Sequence, residues 1–235
     1  MVDFHSHFLP GIDDGADTVE CSLKMLEEYK KQGVNTVVST SHYYEWQNDV
    51  SEFLKNRENS YNELMKEMHE KSAEYPEIIL GAEVALTLDI AKRSDLHKLC
   101  IGDTDFILIE LPYSGYHEWI PYAIFEITSR CNLKPILAHF ERFCTSKSKL
   151  EQYKSLLSLD VKVQINTESL LYRKPFKVIK HLAKMNAIDV IGSDAHNMDS
   201  RRITFADGVK RIEKKFGKDY LIYLNNHAKK ILEMK

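Results

Sequence analysis

Nine residues with metal-binding side chains stand at or just beyond the ends of short apolar runs in this sequence. They are five histidines and four acids: His5, His7, Asp14, His42, Glu83, Glu110, His139, Asp194 and His196. Imidazole and carboxylate are the ligands that borderline divalent ions take in proteins. The pattern therefore predicts a polynuclear metal site, and it indicates a metalloenzyme.

The spacing of the first and last members suits shared coordination. Side chains at positions i and i+2 of an extended strand face the same side, so His5 and His7 can bind one ion together. Asp194 and His196 have the same spacing, although a turn between them would direct them to different ions.

Two positions are less well defined by the pattern. Asp13 and Asp14 precede Gly15 in a run that is also typical of an ordinary turn, so either acid could be the ligand. Asn166 ends an apolar run but has no acid or imidazole to offer, so we expect at most a hydrogen-bonding role there.

The elements that must position these side chains alternate along the chain. Apolar runs predict seven strands, which end at or next to His5, His42, Glu83, Glu110, His139, Asn166 and Asp194. Helical periodicity predicts helices near residues 17–33, 50–74, 120–131, 150–157, 175–185 and 205–232, with the last split near Gly217.

This alternation indicates an α/β fold with parallel strands and crossover helices. An open sheet would show the same alternation, but its outermost strand ends would lie too far apart to share one metal cluster. A closed or nearly closed barrel brings every strand end to one mouth. We therefore predict a distorted, TIM-like barrel of about seven strands that forms a single domain over residues 1–235.

Composition excludes several classes of protein. The 43% hydrophobic and 29% charged shares are ordinary for a globular protein, and no apolar stretch is long enough to span a bilayer. Strand and ligand residues follow Met1 almost at once, so we expect no signal peptide and a cytoplasmic protein. A net charge of -3 argues against a general nucleic-acid binder.

The ordered motifs resemble a known family. They are His-x-His at 5–7, Asp-Asp-Gly at 13–15, Ser-Thr-Ser-His at 39–42, Gly-Ala-Glu at 81–83, Ala-His-x-Glu-Arg at 138–142 and Ser-Asp-x-His-Asn at 193–197. Together they resemble the PHP (polymerase and histidinol phosphatase) superfamily. They are most similar to its bacterial metal-dependent protein-tyrosine phosphatases from capsule and exopolysaccharide operons. The resemblance runs from His5 to about Arg201.

That resemblance implies a (β/α)7 barrel with three divalent ions, commonly manganese, although His/Asp/Glu sites also accept iron or zinc. Carried over by position, one ion is held by His5, His7, Glu83 and Asp194. Glu83 bridges to a second ion, which Glu110 and His139 hold, while Asp14, His42 and His196 hold the third. The implied substrate is phosphotyrosine on a bacterial tyrosine kinase. By acting on this kinase, the phosphatase would regulate polysaccharide export.

Phosphatase chemistry in this chain must rest on metal. The four cysteines are scattered, and none has an arginine six residues downstream, so the loop of cysteine-dependent tyrosine phosphatases is absent. Neighbouring ions lower the pKa of a bridging water, so that hydroxide attacks phosphorus in line. Arg142 follows His139 closely and is a candidate two-point clamp for phosphate; the resemblance places Arg201 as a second clamp.

The segment after His42 is rich in aromatic residues. Tyr43, Tyr44 and Trp46 follow His42 and form either a rim for the phosphotyrosine ring or part of the packing under the barrel mouth.

A small-molecule phosphatase of the histidinol-phosphate type would use the same chemistry. A metal-dependent DNA exonuclease would need a basic channel that the composition does not suggest. A non-catalytic metal-binding regulator is poorly motivated, because the ligand set is complete.

Overall fold

A computed structural model describes residues 1–71 and 73–234 of the chain. Its helices are α1 Val19–Lys31, α2 Val50–Glu70, α3 Ile120–Cys131, α4 Lys147–Tyr153, α5 Arg173–Lys184, α6 Phe205–Phe216 and α7 Lys218–Glu233. Its strands are β1 Val2–Ser6, β2 Thr36–Ser39, β3 His42–Tyr43, β4 Glu77–Leu80, β5 Glu83–Ala85, β6 Phe106–Glu110, β7 Lys134–Leu137, β8 Lys162–Asn166 and β9 Val190–Gly192. The predicted alternation of strands and helices is confirmed.

Every strand pairing among the described residues is parallel. Hydrogen-bonded ladders run in the orders β1-β2-β4 and β3-β5-β6-β7-β8-β9. Two of the predicted strands are each interrupted before their final residue: Thr40 and Ser41 separate β2 from β3, and Gly81 and Ala82 separate β4 from β5. In the second gap, the Gly81 N–H donates to the Ser39 carbonyl at 2.8 Å, so neighbouring chains stay bonded through the interruption.

The first and last strands of the sheet meet. Ser6 forms a parallel bridge with Ala195, just after β9. The Asp194 N–H donates to the His5 carbonyl at 2.8 Å, and the His7 N–H donates to the Ala195 carbonyl at 2.9 Å. The sheet is therefore curled so strongly that its two ends are hydrogen-bonded at the level where the predicted ligands begin.

Apolar packing holds the curled sheet from both sides. The larger core lies between the sheet and the helices and includes Leu26, Ile107 and Ile124. A second cluster joins strand residues such as Phe4 and Leu108 to Ala228 and Ile231 of α7; its members are buried. No described helix combines the length and the apolar character that a membrane crossing requires.

Candidate metal centre

The structure brings all nine predicted ligands to one place. Ligand atoms of three groups lie within 4.8 Å of one another: His5, His7 and Glu83; His42, Glu83 and Glu110; and His7, Asp14, His42 and His196. Two further contacts attach the remaining residues. The His139 Nε2 atom lies 2.8 Å from Glu83 Oε1, and Asp194 Oδ1 lies 3.5 Å from the His5 Nε2 atom. Since the groups share members, they form a single cluster.

The tautomer of His5 is fixed by its surroundings. The backbone N–H of His139 donates to Gln164 Oε1 at 2.6 Å, which identifies that atom as the amide oxygen. His5 Nδ1 lies 3.1 Å from the same oxygen and must therefore carry the hydrogen. The Nε2 atom of His5 is therefore the ring atom that faces Glu83 and Asp194.

His7 is fixed in the same way by an acid. Its Nδ1 donates to Asp13 Oδ2 at 2.8 Å, so Nε2 is the ring atom that faces the centre. Burial opposes protonation of His7, but Asp13, Asp194 and Glu83 raise its pKa well above the usual value. The Nε2 atoms of His5 and His7 are only 3.0 Å apart. Glu83 Oε2 lies 3.2 Å and 3.4 Å from these two nitrogens. Two imidazole nitrogens and a carboxylate that converge in this manner can share a proton or a metal cation, and the donor types fit a divalent metal.

A second group of converging lone pairs lies on the other side of Glu83. His196 Nδ1 donates to the Asp194 carbonyl at 3.0 Å, so its Nε2 atom is an acceptor, and it lies 3.2 Å from Asp14 Oδ1. His42 Nδ1 lies 3.0 Å from Glu83 Oε2. These two nitrogens and Glu83 Oε2 are buried without a hydrogen-bond partner among the described residues. Metal binding would satisfy all three atoms.

The charge states of the acids suit metal binding. Burial alone would raise the pKa of Glu83, but His5, His139 and His42 hold it well below the usual range. Burial also opposes ionisation of Asp194, and His5, His7 and nearby positive charge hold its pKa well below normal. Both acids are therefore carboxylates at neutral pH.

The structure distinguishes the two acids of the Asp-Asp-Gly run. Asp13 accepts hydrogen bonds from His7 Nδ1 and, at 2.9 Å, from the His42 N–H, so both of these contacts orient ligand residues. Asp14 instead faces the ring nitrogens of His42 and His196 at 3.5 Å and 3.2 Å. This geometry supports Asp14 as the ligand and gives Asp13 the role of orienting His7.

Two amide residues support the centre from β8. Asn166 Nδ2 donates to Asp194 Oδ2 at 2.9 Å, which agrees with the hydrogen-bonding role expected for it. Gln164 Nε2 donates to Asn166 Oδ1 at 2.8 Å, and Gln164 Oε1 accepts from His5 Nδ1 and from the His139 N–H. Gln164 was not among the residues predicted from the sequence. The signal was its position two residues before Asn166, on the same face of the strand.

Both candidate arginines lie at the rim of the cluster. Arg142 Nη2 is 2.8 Å from Asp194 Oδ2, and Arg201 contacts Asp14 Oδ2 at 3.0 Å and Asp194 Oδ1 at 3.3 Å. Their side chains are 33% and 37% exposed. Each guanidinium therefore touches the ligand set and is also accessible from solvent.

The aromatic residues after His42 separate into two kinds. Tyr44 stacks on His42 with ring centroids 5.2 Å apart, and Trp46, which is 64% exposed, stacks on Tyr44 at 4.9 Å. Tyr43 is buried and packs edge-on against Phe53, so it belongs to the core and not to a rim. A cavity of about 410 Å³ opens beside Asp14, His42 and Tyr44.

Two of the strand-end ligands have unusual backbone conformations. His139 has φ 31° and Asp194 has φ 54°, both in the left-handed region that residues with a Cβ rarely adopt. Such strain persists where the surrounding structure enforces it, and it is concentrated at functional sites. Here it turns each side chain from the end of its strand into the cluster.

Comparison with known proteins agrees with this geometry. Residues 1–233 match the family model for capsular polysaccharide synthesis, CpsB/CapC. Tyrosine-protein phosphatase CpsB of Streptococcus agalactiae is 30% identical over 228 residues, which cover 93% of this chain and 92% of the relative. Tyrosine-protein phosphatase YwqE of Bacillus subtilis is 28% identical, with 99% and 91% covered.

A solved structure shows the same fold. It belongs to the crystal structures of YwqE from B. subtilis and CpsB from Streptococcus pneumoniae, described as unique metal-dependent tyrosine phosphatases. The match has a TM-score of 0.81 at 24% identity and covers 99% of this chain and 94% of the other. With the family model matching nearly the whole sequence, the chain belongs to the CpsB/CapC family of capsular polysaccharide synthesis proteins.

Proposed function

We propose that this protein is a metal-dependent protein-tyrosine phosphatase of the PHP superfamily. One observation carries the proposal: the Nε2 nitrogens of His5 and His7 lie 3.0 Å apart, and the carboxylate of Glu83 faces both. That arrangement fits a divalent cation, and the relatives named above are tyrosine phosphatases. We further propose that the curled sheet is a (β/α)7 barrel and that residues 1–235 form a single domain.

The proposed centre holds three divalent ions, with manganese as the expected metal. His5, His7, Glu83 and Asp194 bind one ion. Glu83 would also contribute to a second ion, together with Glu110 and His139, and Asp14, His42 and His196 would bind the third. The three groups of close ligand atoms support a polynuclear site with this composition. When bound, the ions supply positive charge for the phosphoryl oxygens and activate water for attack.

The residues of the chain then orient the substrate. Arg142 and Arg201 lie at the rim, where a guanidinium can donate two parallel hydrogen bonds to phosphate oxygens. Tyr44 and Trp46 present a stacked aromatic surface to a tyrosyl ring. A phenol leaves with a pKa of about 10, so this ester needs little help from a general acid.

The proposed substrate is phosphotyrosine on a bacterial tyrosine kinase of capsule or exopolysaccharide synthesis. Such a kinase consumes ATP, so we place the pair in the cytoplasm. The solvent exposure of both arginines and of Trp46 supports a protein substrate, since a side chain on a large partner can reach an open mouth.

The test compares substrates on metal-stripped and manganese-loaded protein. We expect the loaded enzyme to hydrolyse a phosphotyrosyl peptide with a kcat/KM far above that for histidinol phosphate, and chelation to abolish both activities. A reversed preference would assign the protein to small-molecule phosphatases. Full turnover by protein that elemental analysis shows to be free of metal would overturn the mechanism.

A further inference from the structure

A row of basic side chains covers the outer face of α5. Arg173, Lys174, Lys177, Lys180 and Lys184 are exposed, and α5 contains no acid. Among the described residues, none of these five side chains lies within ion-pair distance of a carboxylate. Because the whole chain has a net charge of -3, this face is a local concentration of positive charge.

The arrangement of these charges does not serve helix stability. Arg173 and Lys174 occupy the first turn of α5, and no acid accompanies them there. The helix dipole favours acids at that end and bases at the other. Tyr172, the N-cap residue, makes no side-chain capping bond. The positive charge at this end of α5 is therefore unexplained by the helix itself.

A groove lies between this end of α5 and the segment after β7. We call it the α5 groove; it has a volume of about 450 Å³. Thr145 and Ser146 line it from the segment after β7, and Lys174, Lys177 and His181 line it from α5. Cys144, Leu150 and Val178 add an apolar part to the lining. Hydroxyl and ammonium groups are the donors that a carboxylate or phosphate accepts from. The α5 groove therefore offers binding partners for anions.

The α5 groove lies next to the proposed centre. Thr145 follows Arg142 by three residues, so their Cα atoms are at most about 11 Å apart. Arg142 in turn contacts Asp194 at 2.8 Å. The strand before α5 carries Asn166, which also bonds to Asp194. An extended peptide advances ~3.3 Å per residue, so it would reach the groove on the order of three to six residues from a phosphotyrosine at the centre.

We propose that the α5 groove binds an acidic segment of the phosphoprotein substrate, next to the phosphotyrosine. This inference rests on the proposed function, because it adds a second contact for the same substrate. Charge complementarity identifies the binding partner. The ammonium groups of the α5 groove, which have no ion-pair partner among the described residues, attract a polypeptide that carries carboxylates. A groove of about 450 Å³ can hold a few side chains of a peptide, whereas the plane of a bilayer cannot enter it.

The test uses the manganese-loaded full chain and two phosphotyrosyl peptides of equal length. One peptide carries glutamates at the third to sixth positions on both sides of phosphotyrosine, and the other carries glutamines there. We expect the acidic peptide to show a KM about five- to tenfold lower at equal kcat, as for two modest ion pairs. The double variant Lys174→Glu/Lys177→Glu should lose most of this preference and should keep its rate on p-nitrophenyl phosphate, which is too small to reach the groove.

A matched control changes the same charge elsewhere. Lys214 and Lys215 are exposed in the last turn of α6, and Lys214→Glu/Lys215→Glu should keep the preference. Equal KM values for the two peptides in the natural protein, or equal losses in both double variants, would overturn the proposal. So would a variant that loses binding to vesicles containing phosphatidylserine while its peptide preference is unchanged, because that result assigns the groove to lipid.

Failure of the proposed function is distinguishable from failure of this inference. Fluorescently labelled peptides with phenylalanine in place of phosphotyrosine bind without turnover, and anisotropy measures their Kd. If no phosphotyrosyl substrate is hydrolysed but the acidic peptide still binds more tightly in a Lys174- and Lys177-dependent manner, the phosphatase assignment fails and the groove assignment stands. If hydrolysis is normal and the two peptides bind equally, the groove assignment fails alone.

Discussion

At the scale of single residues, ligands are held in place through the atoms that face away from the centre. Asp13 fixes the tautomer of His7, and Gln164 fixes that of His5. Gln164 also bonds to the His139 N–H and to Asn166, so one amide supports three strands. The convergence of the candidate ligands was predictable, because their types and strand-end positions are visible in the sequence. Gln164 was not, since an amide inside a strand resembles any other polar residue.

The role of Gln164 gives a first prediction. Gln164→Leu keeps the approximate volume but leaves the His5 Nδ1–H and the buried His139 N–H without an acceptor. We expect a loss of about 2 to 5 kcal/mol in the free energy of unfolding and a metal affinity about 10- to 100-fold weaker. Urea unfolding and metal titration measure these effects. Gln152 is exposed, so Gln152→Leu is the control; similar behaviour of the two variants would contradict the assigned role.

The second prediction separates a phosphate clamp from a metal ligand. Arg142 carries a permanent positive charge and cannot coordinate a cation, so Arg142→Ala should keep near-normal metal content. It should lose about 2 to 4 kcal/mol of transition-state stabilisation in kcat/KM for a phosphotyrosyl peptide. Arg142→Lys should recover only part of this loss, because a point charge cannot make two parallel bonds.

Metal analysis and steady-state kinetics on the same preparations decide the role of Arg142. The exposed Arg202 provides the control, and Arg202→Ala should behave like the natural protein. An unchanged kcat/KM in Arg142→Ala would identify Arg142 as a rim residue without a role in catalysis. The clamp would then be sought at Arg201, which contacts the same carboxylate of Asp194.

The third prediction concerns Asp3, whose carboxyl is buried below the centre. Asp3 Oδ1 accepts from the N–H groups of His5 at 3.1 Å and Ser193 at 2.9 Å, while Oδ2 has no partner among the described residues. Burial raises the pKa of Asp3 to about 6. A raised pKa means that the native state binds the proton more tightly than the unfolded chain does. The contribution of protonated Asp3 to the stability of the native state is therefore complete below pH 4, and it is lost as the pH rises through 6.

Asp3→Asn removes this titration and keeps the Oδ1 acceptor. The difference in unfolding free energy between Asp3→Asn and the natural protein should shift in favour of the variant by about 3 kcal/mol between pH 3.5 and pH 7. Urea unfolding of chelator-treated protein at several pH values measures the difference. A difference that stays constant over this range would show that Asp3 titrates normally.

At the scale of elements, the strands ending at the centre were largely predictable and their interruptions were not. Apolar runs mark where β6 and β7 lie, and Gly217 marks the division between α6 and α7. The breaks after β2 and β4 carry no such signal, because residues of the same apolar or small types continue through them. For Tyr43 the sequence left a rim position and a packing position open, and strand alternation turns this residue away from His42 and into the core.

A close contact between β9 and β1 gives the fourth prediction. A Cβ atom added at Gly192 would lie 2.5 Å from the His5 Cβ and 2.9 Å from the His5 backbone nitrogen. Backbone must then move, so Gly192→Ala should cost about 1 to 3 kcal/mol and displace His5 enough to lower metal occupancy. Gly11→Ala adds backbone strain at φ +68° without any such contact and should keep its metal. Full occupancy in Gly192→Ala would show that the strands can separate without harm.

At the scale of the whole molecule, the metal centre is also a stabilising element. Glu83, Glu110 and Asp194 are buried acids, and several imidazole lone pairs converge on them. Ions that bind only the native state should stabilise it, by about 4 kcal/mol at a thousandfold excess over Kd. The fold class and the ligands follow from the sequence because both depend on strand ends. The number of bound metal ions and the identity of the partner protein depend on molecules other than this chain.

The fifth prediction follows from that coupling. Removal of metal by a chelator should lower Tm by several degrees, and addition of manganese should restore it together with activity. Calorimetry with and without metal measures the shift. Magnesium at the same concentration provides the control, because its preference for oxygen ligands should give a smaller effect on a histidine-rich site. Equal Tm values in all three conditions would contradict a structural contribution from the centre.

The meeting of β1 and β9 also determines how the chain can fold. The Ser193 N–H bonds to Asp3 across 190 positions of sequence, and Ser6 pairs with Ala195. On the ribosome, β1 must therefore wait with an unpaired edge until nearly the whole chain has emerged. Contacts of such long range close slowly, so β1 is exposed to wrong pairing for longer than any other strand. His5 and His7 are thus synthesised among the first residues, whereas Asp194 and His196, which lie against them, are synthesised near the end. A nascent chain that stops before β9 therefore cannot assemble the cluster.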